Sequence, residues 1–106
     1  MIKIIGENEF SKEVLDRNNE MVMVVFFATW RGHCQDFSKV LESTNEKLNN
    51  ELIVYKIDVD KNPELVNSYG VESYPTSFFF KNGEVLEKSV GFMSEGRLAD
   101  KIKLNS

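Results

Sequence analysis

Hydrophobic positions recur along this chain with two different periods, and their alternation predicts strands and helices in turn. Residues 21–28 form an unbroken apolar run, which is typical of a central strand covered by helices on both faces of a sheet. From 35 to 49, apolar side chains recur at helical spacing instead, so a long amphipathic helix follows that strand directly. Residues 30–34 therefore lie at a strand-to-helix turn.

Shorter patterns predict the remaining elements. Further strands are expected at residues 2–5, 52–59, 76–80 and 85–90. Further helices are expected at residues 9–16, 62–70 and 94–104. Asn82-Gly83 between the last two strands is a strong signal for a tight hairpin. The predicted order is βαβαβαββα, an α/β fold with a central mixed sheet of about five strands flanked by about four helices.

Length and charge limit the kinds of partner. The 106 residues are expected to form a single domain, residues 1–106. Because 13 basic and 17 acidic residues are spread without a basic block, neither nucleic acid nor an anionic membrane is an expected partner. The longest apolar run is too short to cross a bilayer, and the first residues show no signal-peptide pattern. We expect a cytoplasmic monomer, since one unpaired cysteine suits a reducing compartment.

Candidate chemistry is concentrated in the turn Trp30-Arg31-Gly32-His33-Cys34, which holds the only cysteine of the chain. A dithiol motif needs two sulfurs three positions apart, because the first attacks a disulfide and the second resolves the resulting mixed disulfide. Arg31 stands three positions before Cys34, so no disulfide can form within the chain. His33 and Cys34 are only two adjacent ligand candidates, so no metal site is expected, and no other cofactor is indicated.

Five segments spread over the whole chain resemble the thioredoxin family. They are residues 24–28, 30–34, 56–63, 70–76 and 80–83. The turn is also similar to the Cys-Gly-His-Cys of protein disulfide isomerases, and Tyr74-Pro75-Thr76 is similar to their Tyr-Pro-Thr. The resemblance implies a thioredoxin fold and a role in thiol–disulfide redox homeostasis. It also implies that Cys34 is the resolving cysteine and that Arg31 occupies the position of the missing nucleophile.

The chain departs from this family at two chemical positions. The guanidinium of Arg31 is a permanent cation without a nucleophilic lone pair. The resemblance further implies a buried acid where this chain has Val25, and a basic partner of that acid, matched by Lys56. We expect Val25 to pack in the core and Lys56 to reach solvent. With nucleophile and proton acceptor both replaced, the chain is expected to lack dithiol disulfide reductase activity.

The resemblance also implies a docking surface. In the family, the proline that matches Pro75 is cis and faces the redox turn, so that the preceding backbone pairs with an extended peptide like an added strand. The expected partner is therefore a protein or peptide with an extended segment, docked on an apolar patch. The expected binding residues are Trp30, Gly32, His33, Tyr74, Pro75, Gly91 and Phe92. Phe37, Phe78 and Phe79 are assigned mainly to the core.

Three functional interpretations remain open. The protein is a redox-inactive binding or chaperone-like module, or it performs a limited monothiol exchange through Cys34. In the second case Arg31 and His33 stabilise the thiolate, and glutathione or a client cysteine supplies the other sulfur; the alternative is that Cys34 is an inert buried hydrophobe. In the third, Arg31 is an altered position in an ordinary thioredoxin, since one base change converts a cysteine codon to arginine.

Overall fold

A computed structural model describes all 106 residues and confirms the predicted order of strands and helices. The strands are β1 (Ile2–Ile4), β2 (Met21–Phe27), β3 (Val54–Asp58), β4 (Thr76–Lys81) and β5 (Glu84–Val90). The helices are α1 (Glu7–Phe10), α2 (Gly32–Lys47), α3 (Pro63–Ser68) and α4 (Glu95–Asn105). None of these helices is both long enough and apolar enough to cross a membrane.

The five strands form one mixed sheet in the order β1-β3-β2-β4-β5. The first three of these are mutually parallel, whereas β4 is antiparallel to β2 and β5 is antiparallel to β4. In the central strand β2 the five residues from Val22 to Phe26 are all buried. The predicted central strand with both faces covered is therefore confirmed.

Alternate side chains of β2 contribute to two hydrophobic cores, one on each face of the sheet. Val24 packs in a cluster that α1 and α3 cover, and Val25 packs in a cluster that α2 and α4 cover. The predicted core aromatics Phe37, Phe78 and Phe79 are all buried. This period-two alternation assigns each residue of the strand to one face of the sheet. Val25 therefore lies on the face that α2, the helix containing Cys34, covers.

Several element boundaries differ from the prediction. The helix α2 begins at Gly32, three residues earlier than expected, because its first turn is mostly exposed and lacks the apolar spacing on which the prediction depended. The helix predicted at 9–16 begins at Glu7 and continues as a turn of π-helix over Ser11–Leu15. The strand predicted at 52–59 is paired only over Val54–Asp58. Periodicity reports buried positions, whereas backbone pairing decides where an element ends.

Sheet topology brings three loops together at one edge. Phe26 near the end of β2 pairs with Thr76 at the start of β4, and Thr76 pairs with Val90 at the end of β5. The loops that follow β2, precede β4 and follow β5 therefore leave the sheet on the same side. These loops and the first residues of α2 carry all the residues predicted to form the site.

Candidate functional site

Arg31 occupies an exposed position at the start of α2. It is the N-cap residue of the helix, with an extended backbone (φ −97°, ψ 120°), and its side chain makes no capping hydrogen bond. Its carbonyl oxygen accepts the first hydrogen bonds of the helix, from the N–H groups of Cys34 and Gln35. The guanidinium carbon lies 5.3 Å from the centre of the Trp30 ring. Position 31 is thus open to a docked partner.

Cys34 is the third residue of α2, and its side chain lies beneath the turn. The residue is only 7% exposed and its thiol is free. Its Sγ accepts a long hydrogen bond of 3.5 Å from the backbone N–H of Ala28. The turn therefore presents an exposed arginine to solvent and keeps its one sulfur buried beneath it.

Val25 occupies the position in β2 where the resemblance implies an acid. Its side chain is 1% exposed, so the prediction that it packs in the core is confirmed. Within the sheet it pairs with Lys56 of β3 on one side and with Ser77 of β4 on the other. The Ser77 hydroxyl is buried and has no hydrogen-bond partner. A valine therefore separates a basic side chain from an unsatisfied hydroxyl.

Lys56 is half-buried, so the prediction that it reaches solvent holds only in part. Its ammonium donates a 2.8 Å hydrogen bond to Ser38 Oγ and lies 5.0 Å from the centre of the Phe27 ring. Burial lowers the pKa of Lys56, and the negative charge of Glu42 opposes that shift less strongly. The cause is the position of β3 beside β2, because α2 covers both strands. Ser38 stands four residues after Cys34 and lies on the same face of α2.

A small cavity adjoins these groups. Its volume is about 230 Å³, and Cys34, Ser38 and Lys56 line it together with Phe27, Ala28, Thr29 and Gln35. No pattern along the chain indicated this cavity, because it forms between residues that are distant in sequence. No group of three or more His, Cys, Asp or Glu side chains is arranged to hold a metal ion. The cavity offers the sulfur an ammonium and a hydroxyl, but no carboxylate to accept its proton.

The apolar patch predicted around the turn is present on the surface. Trp30 is 61% exposed and packs edge-to-face on Tyr74, with 6.2 Å between ring centres. Its indole N–H donates a 3.0 Å hydrogen bond to Asp60, a partner that sequence analysis missed although an indole N–H commonly needs one. Phe92 is 45% exposed and packs against the buried Phe37 of α2. Aromatic rings from three loops therefore surround the start of α2.

Pro75 joins two of these loops. The Tyr74–Pro75 peptide bond is cis, as the resemblance implied. The Pro75 carbonyl accepts a 2.8 Å hydrogen bond from the N–H of Gly91, whose φ of 91° is in the left-handed region that favours glycine. This bond fixes the loop after β5 against the loop before β4. Pro75 itself is buried, so it shapes the patch from below.

Backbone groups on this surface are free to bind. Neither the N–H nor the C=O of Tyr74 hydrogen-bonds to another group of the protein, and the same holds for Phe92. The N–H groups of Gly32 and His33, the first two residues of α2, are also unpaired. Both residues are exposed. Unpaired, exposed backbone of this kind can add an extended chain by strand-like pairing; the role of these residues in docking stays a prediction.

Comparison with known proteins agrees with the fold. The thioredoxin family model matches residues 1–104. The chain is 37% identical over 102 residues to thioredoxin of Listeria monocytogenes, covering 96% of each protein. It is 38% identical over 94 residues to thioredoxin of Bacillus subtilis, covering 89% of this chain and 88% of that one. Because both the family model and these relatives span nearly its whole length, the chain belongs to the thioredoxin family.

Proposed function

We propose that this protein works in thiol–disulfide homeostasis as a docking member of its family, without dithiol reductase activity of its own. One observation carries the proposal. The only cysteine is buried, and the exposed position three residues before it holds arginine. Reduction of a protein disulfide by this family needs an exposed thiolate to open the bond and a second thiol to release the client. The exposed sulfur that the first step needs is absent here, and the one sulfur present is buried.

The docking half of the proposal is supported by what the surface retains. Trp30, Tyr74 and Phe92 present aromatic side chains around α2. The backbone of Tyr74 makes no hydrogen bond within the protein and is available to an extended segment. We propose that the client is a protein or peptide bound in this way. The cytoplasm suits such a monomeric protein, since a single free thiol survives best in a reducing compartment.

An insulin reduction assay with dithiothreitol as electron donor tests the missing chemistry. The unaltered protein is expected to reduce insulin no faster than dithiothreitol alone. Arg31→Cys is expected to raise turnover clearly, because it restores an exposed thiol at the start of a helix, where unpaired N–H groups stabilise thiolate. Arg31→Ser is the matched control, since it removes the cation without adding sulfur. Turnover by the unaltered protein, or equal rates for the two variants, would contradict the proposal.

A trapping experiment tests the assignment of Cys34 as the resolving thiol. In the double variant Arg31→Cys/Cys34→Ser, the new thiolate attacks an insulin disulfide, forms one mixed disulfide and releases one insulin thiolate, which takes up a proton. With no second thiol to break the mixed disulfide, the adduct is expected to accumulate and to be visible on a non-reducing gel. Rapid release of reduced insulin by this variant would show that Cys34 has no resolving role.

Monothiol exchange is the second candidate, favoured by the cavity in which Lys56 and Cys34 both lie. In that reaction the Cys34 thiolate attacks oxidised glutathione, forms a mixed disulfide and releases one glutathione thiolate. Intact mass measured after incubation with oxidised glutathione separates the two candidates. The burial of Cys34 predicts slow addition that accelerates in urea. Rapid addition to the native protein, slowed by Lys56→Met, would favour monothiol exchange instead.

A further inference from the structure

Arg31 is an unpaired cation in the middle of the proposed docking surface. The protein has five ion pairs, and none of them includes Arg31. Its side chain also makes no hydrogen bond to any other residue, although a guanidinium has five N–H donors. Removing those donors from water when a partner docks is unfavourable unless the partner supplies acceptors. A partner that docks over Arg31 must therefore supply hydrogen-bond acceptors to its guanidinium.

We infer that the docked segment carries an aspartate or glutamate side chain that pairs with Arg31. The inference rests on the proposed docking function and names the class of client. A guanidinium binds a carboxylate through two parallel N–H···O bonds, a geometry that a lysine cannot reproduce. The position that holds the nucleophile in the family serves here to select an acidic segment.

The neighbours of Arg31 orient it for this role. Its guanidinium carbon lies 5.3 Å from the centre of the Trp30 ring, so the exposed indole limits where the side chain can go. Stacking against an aromatic face leaves the edge of the guanidinium, with its N–H donors, free to bind. A carboxylate at that edge also lies beside a client backbone paired with Tyr74, because the ring of Tyr74 packs on Trp30.

The local charges favour an acidic occupant over a basic one. The first turn of α2 contains no acidic residue, so no side chain of the helix competes for Arg31 there. The carboxylate of Asp60 is not paired with Arg31, because it accepts the hydrogen bond of the Trp30 indole instead. The unpaired N–H groups of Gly32 and His33 add the positive end of the helix dipole to the charge of Arg31. A lysine on the client would meet this cation at short range.

Selection of displayed random peptides on the immobilised protein tests the inference. The unaltered chain is expected to enrich peptides with aspartate or glutamate at one fixed position. Arg31→Gln is expected to lose that enrichment, and Arg31→Glu is expected to select lysine or arginine there instead. Arg97→Gln is the matched control, because it removes an exposed arginine of α4 with the same change in net charge. It should select the same acidic peptides as the unaltered chain.

Affinities of one selected peptide then give the size of the effect. Replacing its acidic residue by the matching amide is expected to weaken binding to the unaltered protein about three- to fivefold, as for a largely exposed ion pair. The same replacement should leave binding to Arg31→Gln unchanged. The difference should shrink between about 0.01 M and about 1 M salt, because salt screens exposed charges.

The possible failures have different meanings. Peptides selected without an acidic position, or with the same acidic position on Arg31→Gln, would overturn the inference about Arg31. The docking proposal would survive that result if Trp30→Ala still weakened binding of the selected peptides. If no peptide is enriched on any of the folded proteins, both the inference and the docking proposal are overturned.

Discussion

The surface around the start of α2 and the interior beneath it have kept different parts of the family pattern. On the surface, Trp30 and Tyr74 still pack together and the backbone of Tyr74 is still free. In the interior, Val25 fills the place of an acid, and Lys56 has turned to Ser38. Docking needs exposed rings and backbone, whereas disulfide chemistry needs two sulfurs and a proton acceptor. Because different residues supply these two requirements, one can be lost while the other is kept.

The largest expected effect is a loss of stability, compared between two neighbouring positions of the interior. Val24→Asp is expected to destabilise the protein by about 4 kcal/mol, because its carboxylate would be buried without a charged partner. Val25→Asp is expected to cost only about 2 kcal/mol, since Lys56 and the unpaired Ser77 hydroxyl flank that position. Urea unfolding monitored by circular dichroism gives both values. Equal losses of unfolding free energy for the two variants would show that position 25 accommodates an acid no better than position 24 does.

The second effect is on activity, and it combines a substitution on the surface with one in the interior. In the Arg31→Cys background, Val25→Asp is expected to raise insulin reduction about tenfold, at the low end of what a positioned proton acceptor contributes. The matched control is Val25→Asn in the same background, which has a similar size but cannot accept the proton as a carboxylate does. Initial rates at several pH values give the comparison. Equal rates for the Asp and Asn variants would mean that the acid has no role here.

The third effect concerns the surface alone. Trp30→Ala is expected to change the unfolding free energy by less than about 0.5 kcal/mol, since the ring is mostly exposed. It is expected to weaken binding of a selected extended peptide about tenfold, because exposed aromatic residues commonly dominate interface energies. Fluorescence anisotropy of a labelled peptide measures the affinity. Val85→Ala is the control, an exposed apolar residue of β5 outside the patch. If Trp30→Ala binds the peptide as tightly as Val85→Ala does, Trp30 has no role in docking.

The smallest effect is a pH dependence of stability caused by Lys56. Burial lowers its pKa below that of an unfolded lysine, 10.5, so between the two pKa values the unfolded chain binds more protons than the native one. The native state therefore gains stability from Lys56 as pH rises through this window. The unfolding free energy of the unaltered protein minus that of Lys56→Met should rise between neutral pH and pH 10.5.

The difference between the two proteins is needed because other groups titrate in the same range. Burial also raises the pKa of Tyr55 and of Tyr69. Both tyrosines therefore favour unfolding at alkaline pH, with the opposite sign to Lys56. They are present in both proteins, so their contribution cancels in the subtraction. A difference that falls or stays constant with pH would mean that Lys56 is not desolvated in the native state.

Much of the fold was accessible from the sequence because burial leaves a periodic pattern. The apolar run of β2 and the helical spacing of Phe37 in α2 were enough to place the turn between them. The hairpin followed from Asn82 and Gly83, whose φ values of 53° and 76° are those of the tight turn that these residue types favour. Spacing within the turn likewise showed that Arg31 stands three positions before the only cysteine.

Contacts between distant parts of the chain were not accessible in the same way. The bonds of Lys56 to Ser38 and of Trp30 to Asp60 join residues 18 and 30 positions apart. Neither produces a periodic signal, because each depends on how an element packs on its neighbour. The start of α2 at Gly32 was missed for a related reason, since an exposed first turn has no apolar positions to detect.

The conformation of residue 31 has a practical consequence. Its φ and ψ are those of an ordinary extended residue, and its side chain contacts little besides the exposed ring of Trp30. Any L-amino acid except proline, which would remove the hydrogen bond from the N–H of residue 31 to the carbonyl of Ala28, can therefore be installed there with little loss of stability. A photoreactive residue at this point would record, by the chemistry of its crosslinks, which atoms of a bound chain pass over the start of α2.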